Sequence, residues 1–129
     1  MKTYDYYCIL AETLEEAASL ISRPLGVNFA RHEAEGLGPY LLYETEPGRG
    51  YKIICNFDGE DWREKDFTEY RYILQCNAIA NPGHAEKILS ELSPRVVFVR
   101  RAEVEVGKYI RQFGKVDGEL VLLSEKKLK

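Results

Sequence analysis

The order of elements along this chain is written twice. Residues 4–57 read as strand, helix and three strands, and residues 70–125 read the same way. A pattern that returns after about 65–70 residues constrains a chain to two copies of one small unit that bury their apolar faces together. At 129 residues both copies fit a single domain, 1–129, with residues 58–69 as the join.

The first unit opens on Tyr4-Asp5-Tyr6-Tyr7-Cys8-Ile9-Leu10, an aromatic and apolar run suited to a buried strand. Thr13 and Glu16 then have capping-box spacing, and Leu14, Ala17, Ala18 and Ile21 form one helical stripe that Pro24 and Gly26 should end. Val27–Glu33, Tyr40–Thr45 and Tyr51–Phe57 are strand candidates, separated by Gly36/Gly38/Pro39 and by Pro47-Gly48-Arg49-Gly50. The second unit begins at Arg71–Cys76. Its helix should start at Asn81-Pro82, carry the stripe Ala85, Ile88, Leu89 and Leu92, and stop at Ser93-Pro94. Arg95–Glu103 follows as a strand, and Tyr109–Phe113 with Glu119–Glu125 forms a hairpin in which Asp117-Gly118 supplies positive φ angles.

Composition narrows the function classes. No stretch approaches the roughly 20 apolar residues of a membrane span, and the first residues carry an acid and tyrosines rather than an apolar leader, so the expectation is cytoplasmic, with no membrane partner. Cys8, Cys55 and Cys76 are an odd set within apolar runs, which reads as buried thiols rather than disulfides. A formal charge of −3 argues against a nucleic-acid partner and admits cationic ones.

A paired βαβββ chain of this length resembles the vicinal oxygen chelate superfamily of glyoxalases, extradiol dioxygenases and bleomycin-resistance proteins. Leu14-Glu15-Glu16-Ala17-Ala18 followed by Pro24-Leu25-Gly26-Val27-Asn28-Phe29 is similar to its first helix and "LG" exit. Val116-Asp117-Gly118-Glu119-Leu120-Val121-Leu122-Leu123 is similar to its closing "DPDG" turn and last strand, with Val116 where the motif has proline. The resemblance implies an α+β fold of paired βαβββ units, a cupped, mostly antiparallel sheet with two helices outside. It also implies metal ligands at four strand positions, which here hold Tyr6, Ile54, Tyr72 and Leu122. None of these is an ordinary metal donor, so the usual metal site is not expected, and no cofactor is. His32 and Glu33 are adjacent on a strand and point to opposite faces, and His84 lies in a first helical turn. No phosphate loop, paired CxxC or GxSxG elbow occurs.

Strand alternation then suggests the lining of a cup. Tyr6, Cys8 and Leu10 come from strand one, Lys52, Ile54 and Asn56 from strand four, and Tyr72, Leu74 and Cys76 from strand five. Tyr109, Arg111, Phe113, Leu120 and Leu122 come from the final hairpin. Such apolar and aromatic walls suit a small organic ligand, or simply fill a core. Lys52 and Arg111 are the informative members, since a buried cation calls for an anionic ligand or a paired carboxylate. The join, 58–69, holds six acids and two bases, a net −4, around the only tryptophan; Asp61, Trp62 and Phe67 could present an aromatic anchor in an acidic rim to a basic protein. Residues 95–115 carry six bases and two acids, and the opposed biases admit a homodimer. Three functions fit. The first is metal-free ligand binding in the manner of the resistance proteins, by sequestration or sensing. The others are a lyase, isomerase or dioxygenase with relocated metal ligands, and a protein-binding inhibitor or immunity factor.

Overall fold

A computed structural model describes residues 1–128. The strands are β1 (Lys2–Ile9), β2 (Ala30–Ala34), β3 (Gly38–Glu46), β4 (Arg49–Cys55), β5 (Tyr72–Asn77), β6 (Val96–Glu105), β7 (Tyr109–Val116) and β8 (Glu119–Lys127). The helices are α1 (Leu14–Leu25) and α2 (Pro82–Ser90), and one 3-10 turn spans Lys65–Phe67. The architecture is α+β, with every neighbouring strand pair antiparallel and the sheet open at both edges. No helix among the described residues is long and apolar enough to cross a membrane.

Local chemistry accounts for the helix ends. The Thr13 hydroxyl accepts from the Glu16 amide at 3.1 Å, while the Glu16 carboxylate accepts from the Glu12 amide, one residue ahead of the usual capping-box partner. Pro24 does not end α1; it sits in the last turn, and the left-handed cap is Gly26, whose amide donates to the Ser22 carbonyl at 2.8 Å. At the start of α2 the Asn81 side chain accepts from the His84 amide at 3.0 Å, with Pro82 in the first turn. Asp117 and Gly118 both have positive φ, 52° and 82°, as the β7–β8 turn requires. Val27 belongs to no strand; it is a buried residue between α1 and the later start of β2 at Ala30.

The two units do not form separate half-sheets. The strand order is β2-β3-β4-β5-β1-β6-β7-β8, so β5 lies between β4 and β1, and β1 separates β5 from β6. β5 and β6 therefore run parallel on either side of β1, a split β-α-β crossover through α2. The central strands β4-β5-β1-β6 with both helices follow the ferredoxin-like order, extended by a hairpin at each end. Interleaving puts α1 and α2 together over one face. There Leu14, Ala17, Ile21 and Leu89 pack on Tyr7, Ile9, Leu41, Ile53, Leu74, Cys76 and Val96. Each fully buried aliphatic side chain contributes about 1.5–3 kcal/mol of transfer free energy. The opposite face carries no helix. Its smaller core of Cys8, Ile54 and Ile73 is covered by Phe67 of the join, by Tyr70 just beyond it and by Leu37 of the β2–β3 turn.

Candidate functional site

Directly opposed residues of an antiparallel pair share a face. Lys52 opposes Gln75 and Gln75 opposes Tyr6, which opposes Arg100, so one polar row crosses the helix-free face. Tyr6, Cys8, Lys52, Ile54 and Asn56 thus lie together as alternation suggests. Tyr72 and Leu74 do not join them. Strand five presents its alternate residues, Ile73 and Gln75, to that face, while Tyr72, Leu74 and Cys76 belong to the core under the helices. Leu74 is fully buried there and cannot touch a ligand on the opposite face.

Phe113 opposes Arg101, whose guanidinium reaches Glu86 of α2, so Tyr109, Arg111 and Phe113 lie on the helix-side face, and Leu122 faces the same way opposite Phe113 on the edge strand. The expected cup is therefore split across a sheet. The four positions Tyr6, Ile54, Tyr72 and Leu122 do not converge, and among the described residues no group of three or more His, Cys, Asp and Glu is placed to hold a metal ion.

The two cations of the row already have partners within the chain. Lys52 Nζ stands 4.8 Å from the centroid of the Tyr40 ring, which stacks on His32 at 5.4 Å. Arg100 lies 4.5 Å over the Tyr6 ring and donates to the Glu64 carboxylate at 2.6 Å. Asn56 is fully buried; its amide nitrogen donates to the Phe67 and Tyr70 carbonyls at 3.0 and 2.8 Å, and its oxygen accepts from the Glu64 amide at 2.8 Å. This side chain clamps the join onto the sheet and offers nothing to a ligand. Arg111 meets a carboxylate of its own chain: it stacks 3.8 Å from the Tyr109 centroid with its Nε 3.4 Å from Glu125, an ion pair in which the buried Nε makes no hydrogen bond among the described residues.

Trp62 of the join forms a β-bridge with Phe57, just before it, with rings 5.1 Å apart. The Asp58 carboxylate accepts from the Glu60 and Asp61 amides, and that of Asp61 from Trp62, bonds that lower both carboxyl pKa values. Phe67 turns inward against Tyr70, so Trp62 is left beside exposed Phe57 in an apolar slot of about 300 Å³ bounded by Cys55 and Arg71.

A larger cleft lies on the helix side, and none of the candidate ligand- or partner-binding residues lines it. About 640 Å³ opens between the C-terminal end of α1, the first turns of α2 and the β3–β4 hairpin. Leu25, Val27, Tyr43, Tyr51, Ile79 and Ile88 give it apolar walls, and Thr45, Glu46, Arg49, Asn81 and His84 its polar rim. Gly50 belongs to its floor with φ 154°, and a Cβ there would lie 1.9 Å from the Tyr43 carbonyl oxygen, so only glycine lets β3 and β4 approach. Sequence reasoning reads Gly26, Pro47-Gly48 and Asn81 as punctuation. The cleft is built from those element ends, and the available signal was their aromatic and aliphatic neighbours.

Burial pushes the Cys8 thiol from 9.0 up to about 12, with Glu64 adding to the effect, and raises Tyr51 from 10.0 to about 12. Cys76 is likewise pushed well up by burial. These thiols stay protonated at neutral pH and are not nucleophiles. Because the folded pKa values exceed the unfolded ones, the stabilisation is intact below about pH 9 and drains as pH rises toward about 12. Urea unfolding midpoints should be level from about pH 7 to 9 and fall at about pH 10–11; an unchanged midpoint there would contradict these shifts.

No protein-family model, curated protein or solved structure matches the chain.

Proposed function

We propose that this chain is a small-molecule-binding protein that sequesters or senses an organic ligand in the cleft between α1, α2 and the β3–β4 hairpin. The observation that carries the reading is the cleft itself: about 640 Å³, within the roughly 300–1,000 Å³ of ligand sites, with aromatic and aliphatic walls and a few rim polar groups. Tyr43 and Tyr51 lie 6.4 Å apart as a stacked pair and favour a planar apolar ligand. Tyr51 keeps its proton at neutral pH and so acts as a hydrogen-bond donor.

Binding without turnover fits the rim. Glu46 is held by Arg49 at 3.0 Å, and among the described residues no carboxylate forms an ion pair with His84, so the cleft lacks an oriented acid–base pair. This reading rests on the cleft, while the resistance-protein resemblance supplies only the mode of action.

A thermal-shift screen of planar aromatic compounds tests it. A ligand at a hundredfold excess over its Kd should add about 2.7 kcal/mol and raise Tm by about 10 °C. Ile88→Trp, which fills the cleft, should abolish the shift, and Tyr6→Ala on the opposite face should leave it. Equal shifts in Ile88→Trp and wild type would place binding elsewhere and sink the proposal.

A further inference from the structure

The two edges of the sheet are unlike. β2 has five residues, carries Arg31, His32 and Glu33, and is tied to α1 by the 2.7 Å Arg31–Glu15 pair. A short charged strand of this kind resists pairing with another chain. β8 has nine residues, all exposed, and its consecutive Leu120, Val121, Leu122 and Leu123 are 39, 40, 49 and 63% exposed. Val116, just before the turn, is 55% exposed and extends the apolar surface. Between Glu119 and Ser124 there is neither a charge nor a proline to guard the edge.

We propose that β8 is the docking strand for a second copy of this chain, joining two sheets edge to edge about a twofold axis near Leu122 and Leu123. The charges select this occupant. Glu119 stands at one end of the strand and Lys126 and Lys127 at the other, and none of the three forms an ion pair among the described residues. Antiparallel pairing about an axis between Leu122 and Leu123 sets Glu119 opposite Lys126 of its mate and Leu122 opposite Leu123, each twice per dimer, with Val121 opposite Ser124 and Leu120 opposite Glu125, whose carboxylate Arg111 already holds. The extra residue at Leu123, where the ladder with β7 shifts register, falls beside the axis and leaves the arms on either side as strand. Pairing β8 to β2 instead would engage only the five residues of β2 and would propagate as an open filament. Of the pairings open to β8, the one with its own copy closes.

Sedimentation of this 129-residue chain over a concentration series at low salt tests the proposal. Wild type should be a monomer–dimer equilibrium with no larger species. Glu119→Lys should weaken dimerisation roughly tenfold, because two salt bridges of about 0.5–1 kcal/mol each are lost. Lys126→Glu with Lys127→Glu should do the same, and combining all three changes should restore the wild-type constant to within about twofold. Leu122→Lys, at an exposed position, should give a monomer with an unchanged far-UV spectrum. A wild type that stays monomeric, an assembly that grows past the dimer, a dimer indifferent to these changes, or a triple variant as weak as its parents would each overturn it.

Discussion

Replacing Asp5 by alanine is expected to destabilise the fold by about 3–5 kcal/mol, because it leaves the two cations Arg101 and Lys115 beneath the helices to share the single carboxylate of Glu86. Asp5 is 1% exposed on β1, and its carboxylate accepts two bonds from Arg101 of β6, Nε at 2.7 Å and Nη2 at 2.8 Å. Arg101 also donates to Glu86 of α2 at 3.1 Å, and Lys115 of β7 pairs with the same glutamate. The two bonds that Arg101 donates to Asp5 raise the Arg101 pKa, so the guanidinium keeps its charge at any accessible pH. It cannot escape the loss by neutralising. In urea the midpoint should fall by about 1.5 M or more, for a slope near 2 kcal/mol/M. The double variant Asp5→Leu with Arg101→Met removes both charges and should recover most of the loss, since an apolar pair of similar size is often as stable. A single variant that loses under about 1 kcal/mol would show that the pair is solvated rather than buried.

The second large effect is expected at Asn56. Asn56→Ala leaves the Glu64 amide and the Phe67 and Tyr70 carbonyls without their side-chain partner, at about 1–3 kcal/mol for each group that stays dry. We expect a total near 3–4 kcal/mol, since water will reach part of the join once it loosens. Asn56→Asp should be no better. A carboxylate can still accept from Glu64 but faces two carbonyl oxygens with nothing to donate. Because the clamp holds residues 64–70, the loss should be local before it is global. Trp62 is the single tryptophan and stands in the same segment, so its emission should shift to the red at a lower urea concentration than the far-UV signal changes. Coincident transitions in the variant would show that the join does not open independently.

Helices and turns were legible because their signals are local. Thr13, Asn81 and Asp117-Gly118 act through bonds or φ angles within three residues of themselves, and they occur where the spacing predicts. The Pro24 reading differed from the structure because a proline in the last turn forfeits one hydrogen bond, whereas Gly26 supplies the left-handed cap that ends α1. For the candidate site, alternation assigned strands one and four consistently. Strand five was off by one residue, and with a period of two a one-residue error moves a whole strand to the other face. Tyr72, Leu74 and Cys76 are as aromatic and apolar as any cup lining, and nothing local distinguishes a core wall from a binding wall.

By itself the sequence determined the order strand, helix, three strands twice over, the positions of the caps and turns, and the apolar stripes that bring both helices down on a sheet. Only the tertiary structure decided that β5 inserts between β1 and β4, that Asn56 serves backbone groups and Arg111 a carboxylate of this chain, and that the cleft opens where three element ends meet. The physical reason is range. Capping and periodicity are settled within a few residues, whereas strand order is settled by how two helices and two sets of strands share one buried face, which no single segment encodes.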